Sequence, residues 1–290
     1  MSRWMAIGLV LLFAIGAIAS ACGGGGDGGE ATKQPARESA TAPPGPDETP
    51  EATAGTPSNS AGAAAIEALV RAQTDASNNK DVDGFVAAFA DSYYDDLGVS
   101  RDDARALVAT FIGVPQVDVT KISAIDISRN TATALVDSDE GVIVSREQYS
   151  FARVGDRWLI AGIEELPVDV PAEAAVVEMR LDEYAFEFDS QAASDGDFVF
   201  NVTNTGAQPH EVELMRLPAG VTAQQLSDRE NVPAGVETIG LFGPLEPLEL
   251  RPIVFAQPLE PGNYALVCYL STPDGVSNAA LGMVKDLVVP

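Results

Sequence analysis

Residues 149–162 read YSFARVGDRWLIAG, and this stretch decides the fold of the first half of the chain. Tyr149 and Phe151 alternate with other residues before Gly155-Asp156, and Trp158 and Ile160 alternate after it. Alternation with a period of two indicates half-buried strands, and a Gly-Asp pair between two such strands is typical of a tight turn. The stretch therefore predicts the last hairpin of an antiparallel sheet.

Upstream of this hairpin, apolar residues first follow helical spacing and then strand spacing. Helical spacing extends over three segments: Ala63 to Gln73, Val82 to Tyr93, and Ser100, a candidate N-cap, to Phe111. Strand spacing follows from Val117 onwards. Helices followed by a meander of strands predict an α+β domain, a cone in which helices pack on a curved antiparallel sheet.

The hairpin and the three helical segments before it resemble the nuclear transport factor 2-like superfamily, which includes ketosteroid isomerase and polyketide cyclase-like proteins. The resemblance extends over about residues 63–168. It implies a cone whose sheet and helices enclose a pocket, in a superfamily where some members are enzymes and many are not. A pocket is therefore expected in this domain.

A second domain, residues 174–290, follows a Pro-rich joint at residues 167–171. Its apolar residues alternate as in strands throughout, apart from a short helical segment near residues 222–227. Turn signals such as Asn204-Thr-Gly206 and Pro261-Gly-Asn263 separate the segments. Many short strands with turns between them predict an all-β Greek-key sandwich, so that the chain is multidomain.

Two segments of the second domain resemble the cupredoxins. They are FNVTNTGAQPHE at residues 200–211 and PGNYALVC at residues 261–268, and LGM at residues 281–283 completes the likeness. In this resemblance His210 matches the first imidazole ligand of a blue-copper centre, Cys268 the thiolate and Met283 the axial thioether. Asn278 takes the place of the second imidazole, five residues before Met283. The resemblance thus implies a degenerate copper site.

The incomplete ligand set leaves two interpretations open. A blue-copper centre needs two imidazoles beside its thiolate, and His210 is the only His in the chain. One imidazole, a thiolate and a thioether can still hold Cu(I), which accepts low coordination and soft donors. Alternatively Cys268 and Met283 are packing residues, since Cys268 shares its parity with Tyr264 and Leu266, and His210 caps a loop.

The first residues predict export from the cytoplasm. The apolar run from Met5 to about Ile18 is too short for a stable membrane span and is typical of a signal peptide. It ends in Ile18-Ala-Ser-Ala-Cys22, which resembles the lipobox of bacterial lipoproteins, where the Cys is lipidated. We therefore expect a lipoprotein signal peptide at residues 1–21 and a lipid on Cys22.

Residues 22–62 are rich in Gly, Pro, Thr, Ala and Glu and show no hydrophobic periodicity, so we expect a disordered tether. The two domains would then be held at the extracytoplasmic face of the cell membrane by the lipid. Because lipidation uses Cys22, Cys268 has no disulfide partner within the chain. The formal charge of −26 argues against nucleic-acid partners, whose backbones it would repel.

The first domain contains neither His nor Cys, which excludes Ser-His-Asp, Cys-His and His-metal catalysis there. Carboxylate and phenol chemistry remains, and Asp91, Tyr93 and Tyr94 are the candidate pocket residues.

The leading hypothesis is a non-enzymatic, membrane-tethered binding or interaction lipoprotein with a degenerate cupredoxin-like domain and an extracytoplasmic protein or small ligand as partner. One alternative is a copper carrier or electron-transfer protein that uses His210, Cys268 and Met283. A second is a small-ligand binder or isomerase-like enzyme in the pocket of residues 63–168. No cofactor is certain, and copper is the candidate.

Overall fold

The structure is a computed structural model that describes residues 59–191, 193 and 197–290. The predicted signal peptide, Cys22 and the tether up to residue 58 lie outside the described residues. Among the helices that are described, none is both long and apolar enough to cross a bilayer.

In the described part of the chain, the first domain opens with four helices: α1 (Asn59–Asn78), α2 (Val82–Ala87), α3 (Asp91–Leu97) and α4 (Arg101–Val108). Helix α1 begins before Ala63, so residues 59–62, assigned to the tether from the sequence, are helical. Alanine at positions 61 and 63–65 favours the helix in this region. Gly62 also faces the sheet, where a Cβ would lie 2.7 Å from Cδ1 of Ile127.

The predicted second helix is two helices, because residues 88–90 hydrogen-bond to the sheet instead of continuing α2. The backbone N–H of Ala90 donates to the carbonyl of Ile160 over 2.8 Å, and the N–H of Ile160 donates to the carbonyl of Ala88 over 2.9 Å. A tertiary backbone pairing therefore overrides the helical spacing of the sequence. The N-cap prediction is confirmed, since Ser100 Oγ accepts from the N–H of Asp103 over 3.1 Å.

One antiparallel sheet of four strands follows, β1 (Val117–Ser128), β2 (Thr131–Glu140), β3 (Ile143–Val154) and β4 (Arg157–Glu165), in that order. The helices pack on the sheet, and their buried side chains, among them Ile66, Phe85 and Tyr93, form one core with Phe151 and Ile160 of the sheet. The predicted α+β domain with helices on an antiparallel sheet is thus confirmed.

The second domain has eight strands among the described residues: β5 (Ala175–Asp182), β6 (Ala185–Glu187), β7 (Phe198–Asn204), β8 (His210–Leu217), β9 (Glu237–Leu245), β10 (Leu250–Ile253), β11 (Gly262–Val267) and β12 (Val284–Val289). They form two sheets, ordered β10-β7-β5-β6 and β12-β11-β8-β9. The predicted β-sandwich is confirmed. Strand β6 is only three residues long, and Gly240, Gly243 and Pro244 interrupt the alternation of side chains in β9.

The turn between β2 and β3 joins the two domains. The N–H of Val142 donates to Ile239 O over 2.7 Å, the N–H of Val144 donates to Val254 O over 2.9 Å, and the side chain of Ile143 belongs to the buried core of the sandwich. Arg251 of β10 forms an ion pair with Glu165 of β4. The first domain therefore supplies both backbone and side chain to the second.

Gly141, at the tip of this turn, has a φ of +64° and lies against the carbonyl of Ile239. We predict that Gly141→Ala lowers the free energy of unfolding by about 1–3 kcal/mol more than Gly155→Ala, because an added Cβ overlaps that carbonyl. Gly155→Ala is the matched control, since φ is +61° there and no atom lies within 4 Å of the added Cβ. Urea unfolding of both variants measures the difference; equal losses would contradict the assigned contact.

Candidate functional site

The residues that resemble copper ligands meet at one end of the sandwich. His210 is the first residue of β8, and Cys268 directly follows β11. The chain from Cys268 then returns on itself, because the N–H of Ala279 donates to Cys268 O over 2.8 Å and the N–H of Cys268 donates to Met283 O over 3.2 Å. His210, Cys268, Asn278 and Met283 are all buried, at 0 to 1% exposure.

The side-chain amide of Asn278 lies between the imidazole and the thiol. Its Nδ2 is 3.2 Å from Nδ1 of His210 and 3.3 Å from Sγ of Cys268, while Nδ1 and Sγ are 3.9 Å apart. An amide nitrogen carries two hydrogens, so it can donate one to each neighbour. Asn278 therefore links His210 and Cys268 by hydrogen bonds. It occupies the position where the cupredoxins, which this segment resembles, have their second imidazole ligand.

The hydrogen bonds determine the protonation state of His210. Because Nδ1 faces a donor, it acts as an acceptor and the ring proton is on Nε2. Nε2 lies 3.5 Å from Oε1 of Glu183, at the outer limit of a hydrogen bond. Burial lowers the pKa of His210, while the carboxylate of Glu183 raises it in part. The imidazole is therefore neutral at pH 7.

Cys268 is a protonated thiol in this environment. Burial, followed by the charge of Glu211, raises the pKa of Cys268 to about 12, although the N–H of Glu211 and the amide of Asn278 partly lower it. A thiolate is the form that binds metal or attacks an electrophile, so the surroundings disfavour both reactions.

The residues present do not fit a blue-copper centre. One imidazole is available, and the hydrogens of an amide occupy the space between it and the thiol. Within the described residues, no group of three or more His, Cys, Asp and Glu side chains could hold a metal ion. The arrangement gives Nδ1 of His210 and the thiol of Cys268 a neutral hydrogen-bond donor, while Nε2 of His210 and Oδ1 of Asn278 have no hydrogen bond within the described residues.

The expected pocket of the first domain is a cavity of about 50 Å³ between the helices and the sheet. Its apolar part is formed by Phe85, Phe89, Val119, Val136 and Ile163. Its polar part is formed by Gln73 and Ser77 of α1, Ser138 and Glu140 of β2, and Glu147 and Tyr149 of β3. A cavity with an apolar wall and a few convergent polar groups is typical of a small-ligand site.

Both carboxyl groups of the cavity favour their protonated forms. Burial is the largest cause of the raised pKa of Glu147, and the charges of Glu140 and Glu165 raise it further. Burial and Glu165 likewise raise the pKa of Glu140. Because the two groups interact, they titrate as a pair. Glu165 itself forms an ion pair with Arg251 of the second domain.

The candidate pocket residues from the sequence are placed differently. Asp91 points outward, with 87% of its side chain exposed, and pairs with Arg101 over 2.7 Å. Tyr94 donates its hydroxyl to Val86 O over 2.8 Å inside the helical layer. Tyr93 is buried against Phe89, with ring centroids 4.6 Å apart. None of the three lines the cavity, because α3 directs them to solvent or into the packing of the helices.

The cavity residues Glu147 and Tyr149 were missed, although the sequence carries a signal for them. Along β3, Ile143, Ser145, Glu147, Tyr149 and Phe151 are buried in alternation. Glu147 therefore shares its parity with the apolar residues of the strand. A carboxylate at an inward position of a predicted strand is the pattern that identifies it.

Among known proteins, this chain has similar solved structures but no matching family model or curated protein. A protein of unknown function from Shewanella oneidensis MR-1, described as NTF-2 like, is 16% identical, covers 36% of this chain and 98% of its own, and has a TM-score of 0.29. A putative dehydratase of the NTF2-like family from Streptomyces avermitilis is 12% identical, with coverages of 39% and 100% and a TM-score of 0.32.

Another similar structure is that of reduced auracyanin, a cupredoxin from Roseiflexus castenholzii. It is 20% identical, covers 40% of this chain and 98% of its own, and has a TM-score of 0.28. The fold assignment rests on the element order and strand pairing rather than on these scores. Helices on a four-stranded antiparallel sheet, followed by two packed four-stranded sheets, are the predicted cone and β-sandwich architectures.

The buried carboxyl pair predicts a dependence of stability on pH. A carboxyl whose pKa is raised on folding binds its proton more tightly in the native state. Its contribution to stability is complete below the usual glutamate value of 4.5 and is lost as the pH rises through the raised value. We predict that Glu147→Gln, which mimics the protonated acid, raises the free energy of unfolding at pH 8 by about 1 kcal/mol or more.

Urea unfolding at pH 4.5 and pH 8 checks this effect, and the variant should approach the parent protein at the lower pH. Glu164→Gln is the matched control, because Glu164 neighbours Glu165 on β4 but is exposed. A gain in stability from Glu164→Gln, or a loss from Glu147→Gln at pH 8, would contradict the raised pKa of Glu147.

Proposed function

We propose that the protein is a membrane-tethered, extracytoplasmic binding lipoprotein that performs no catalysis. The lipobox-like segment that ends at Cys22 supports the tether and the location. The absence of His and Cys from residues 63–168 supports the non-enzymatic role. In this proposal the cupredoxin-like domain is a metal-free scaffold, and the partner is an extracytoplasmic protein or a small ligand.

The position of Asn278 carries the proposal for the second domain. Its Nδ2 contacts Nδ1 of His210 at 3.2 Å and Sγ of Cys268 at 3.3 Å, so the polar atoms that would bind copper already have partners. Copper would have to displace both hydrogen bonds and remove the proton of a thiol whose pKa is raised to about 12. These requirements oppose binding.

A copper-binding protein is the second candidate, and one distance favours it. Nδ1 of His210 and Sγ of Cys268 are 3.9 Å apart. Two atoms that bind the same metal ion, each about 2.0–2.3 Å from it, are separated by a distance close to this Nδ1–Sγ distance. Rotation of the Asn278 amide away from the pair would leave the imidazole, the thiol and Met283 for Cu(I), which accepts soft donors and low coordination.

We predict that the parent protein forms no intense thiolate-to-copper absorption band when titrated with Cu(II), whereas Asn278→His does. The substitution supplies the second imidazole at the position that the family uses and removes the two hydrogen bonds. Visible absorption and the copper stoichiometry after desalting measure the outcome.

Two variants serve as controls for this titration. Asn263→His adds an imidazole at an exposed position of the same domain, and it should leave the spectrum of the parent protein unchanged. Cys268→Ala should abolish any band that Asn278→His creates. Stoichiometric copper in the parent protein that depends on Cys268 would reject the scaffold and support the copper-binding candidate.

A separate prediction concerns the tether. In a bacterial host, the full chain should fractionate with membranes and carry acyl chains on its first peptide, whereas Cys22→Ser should lose both, because the thiol is the acylated group. Cys268→Ser is the matched control and should remain acylated. Mass spectrometry of the N-terminal peptide and fractionation are the measurements; unchanged fractionation of Cys22→Ser would overturn the lipoprotein assignment.

A further inference from the structure

The cavity of the first domain contains polar groups that the fold does not use. Gln73 and Ser77 of α1 line it, at 8% and 6% exposure. No hydrogen bond of either side chain is formed within the described residues, whereas the neighbouring Thr74 donates to Val70 O over 3.1 Å. An amide that is largely removed from water and has no partner is destabilising. Gln73 therefore indicates a missing partner inside the cavity.

The two carboxyl groups of the cavity also lack a cationic partner. Glu147 is 6% exposed, and within the described residues neither Glu147 nor Glu140 has an ion pair with Lys, Arg or His. Arg251 is paired instead with Glu165, the cross-strand neighbour of Glu147. Two carboxyl groups thus face a shared space with no cation of the chain to balance them.

The missing partner is not a metal ion held by these side chains. Over the described ranges, no set of three or more His, Cys, Asp and Glu residues is arranged to hold one. The polar groups instead line a space of about 50 Å³ together with Phe85 and Phe89. One water molecule needs roughly 10–15 Å³ of cavity volume. A cavity of about 50 Å³ therefore accepts about four non-hydrogen atoms.

We propose that this cavity binds a small organic cation, an alkylammonium group with a short aliphatic body, between Glu140, Glu147 and Gln73. The ammonium group would donate hydrogen bonds to the two carboxylates and to the amide oxygen of Gln73. The aliphatic part would contact the aromatic wall, whose ring faces also attract cations. The proposal rests on the binding function proposed above and names the class of its ligand.

Binding of a cation is coupled to release of a proton. The carboxyl pair holds its proton in the free protein, and a cation favours the ionised form, so the affinity rises with pH. Three titratable groups from the surrounding elements face the pair of Glu140 and Glu147: Tyr93 of α3, Tyr149 of β3 and Glu165 of β4. Arg251 of β10 acts on the pair through Glu165. None of the phenols titrates near neutral pH, because burial raises the pKa of both.

The test is a calorimetric titration of the full chain with ethylammonium at pH 6 and pH 8, in two buffers that differ in ionisation enthalpy. We expect the dissociation constant to be at least tenfold lower at pH 8, with proton release on binding that is larger at pH 6. Ethanol has the same number of non-hydrogen atoms without the charge, and we expect at least tenfold weaker binding with no dependence on pH.

Variants assign the effect to the cavity. Glu147→Gln and Glu140→Gln should each weaken ethylammonium at pH 8 by tenfold or more, and both retain folding because they keep the shape of the side chain. Glu164→Gln, on the exposed face of β4, should bind as the parent protein does. Binding of ethanol as tight as that of ethylammonium, unchanged affinity in both cavity variants, or no binding of ethylammonium at pH 8 would overturn the proposal.

The result of the ethylammonium titration can be distinguished from the results of the copper and acylation experiments, which test the proposed function. Failure of ethylammonium to bind, together with an acylated Cys22 and no copper on Cys268, would remove the ligand class and leave the tethered scaffold. Turnover of a substrate, or copper bound through Cys268, would remove the scaffold whatever the result with ethylammonium.

Discussion

The backbone pairing between Val142 and Val144 of one domain and Ile239 and Val254 of the other is the constraint on which the cavity of the first domain depends. It places the beginning of β3 in the second domain, where Ile143 is part of the buried core. The same strand continues into the first domain and carries Glu147 and Tyr149 into the cavity. The polar end of the cavity is therefore held close to the junction, where Arg251 balances the charge of Glu165.

The two candidate sites bury their polar groups in different ways. In the sandwich, Asn278 gives Nδ1 of His210 and Sγ of Cys268 a hydrogen-bond donor, so an imidazole and a thiol are buried without charge. Nε2 of His210 and Oδ1 of Asn278 have no hydrogen bond within the described residues. In the cone, Ser145 and Tyr149 form hydrogen bonds with Glu140 and Glu147, and Gln73 lines the cavity beside them. The cone therefore offers space beside its polar groups, whereas the amide of Asn278 fills that space in the sandwich.

This contrast shifts the functional interest from the second domain to the first. The cupredoxin-like domain attracts attention through its residue types, since His, Cys and Met in that order imply a metal. Their surroundings oppose one, because the thiol stays protonated and the amide of Asn278 occupies the space between the donors. The cone has no residue type that stands out in the sequence, and its chemistry arises from two ordinary glutamates that burial keeps protonated.

The sequence by itself determined the order of the domains and the hairpin at Gly155, because local periodicity and turn residues encode strands and their ends. The resemblance of two segments to the cupredoxins implied that His210, Cys268 and Asn278 meet. The tertiary structure alone decided three things. It divided the predicted second helix, since residues 88–90 pair with Ile160. It turned Asp91 outward and replaced the predicted pocket residues by Glu140, Glu147 and Tyr149. It also joined the two domains at the turn between β2 and β3, where Gly141 lies against the carbonyl of Ile239. These features depend on contacts between residues far apart in the chain, and the inward position of Glu147 on β3 is the one local signal among them.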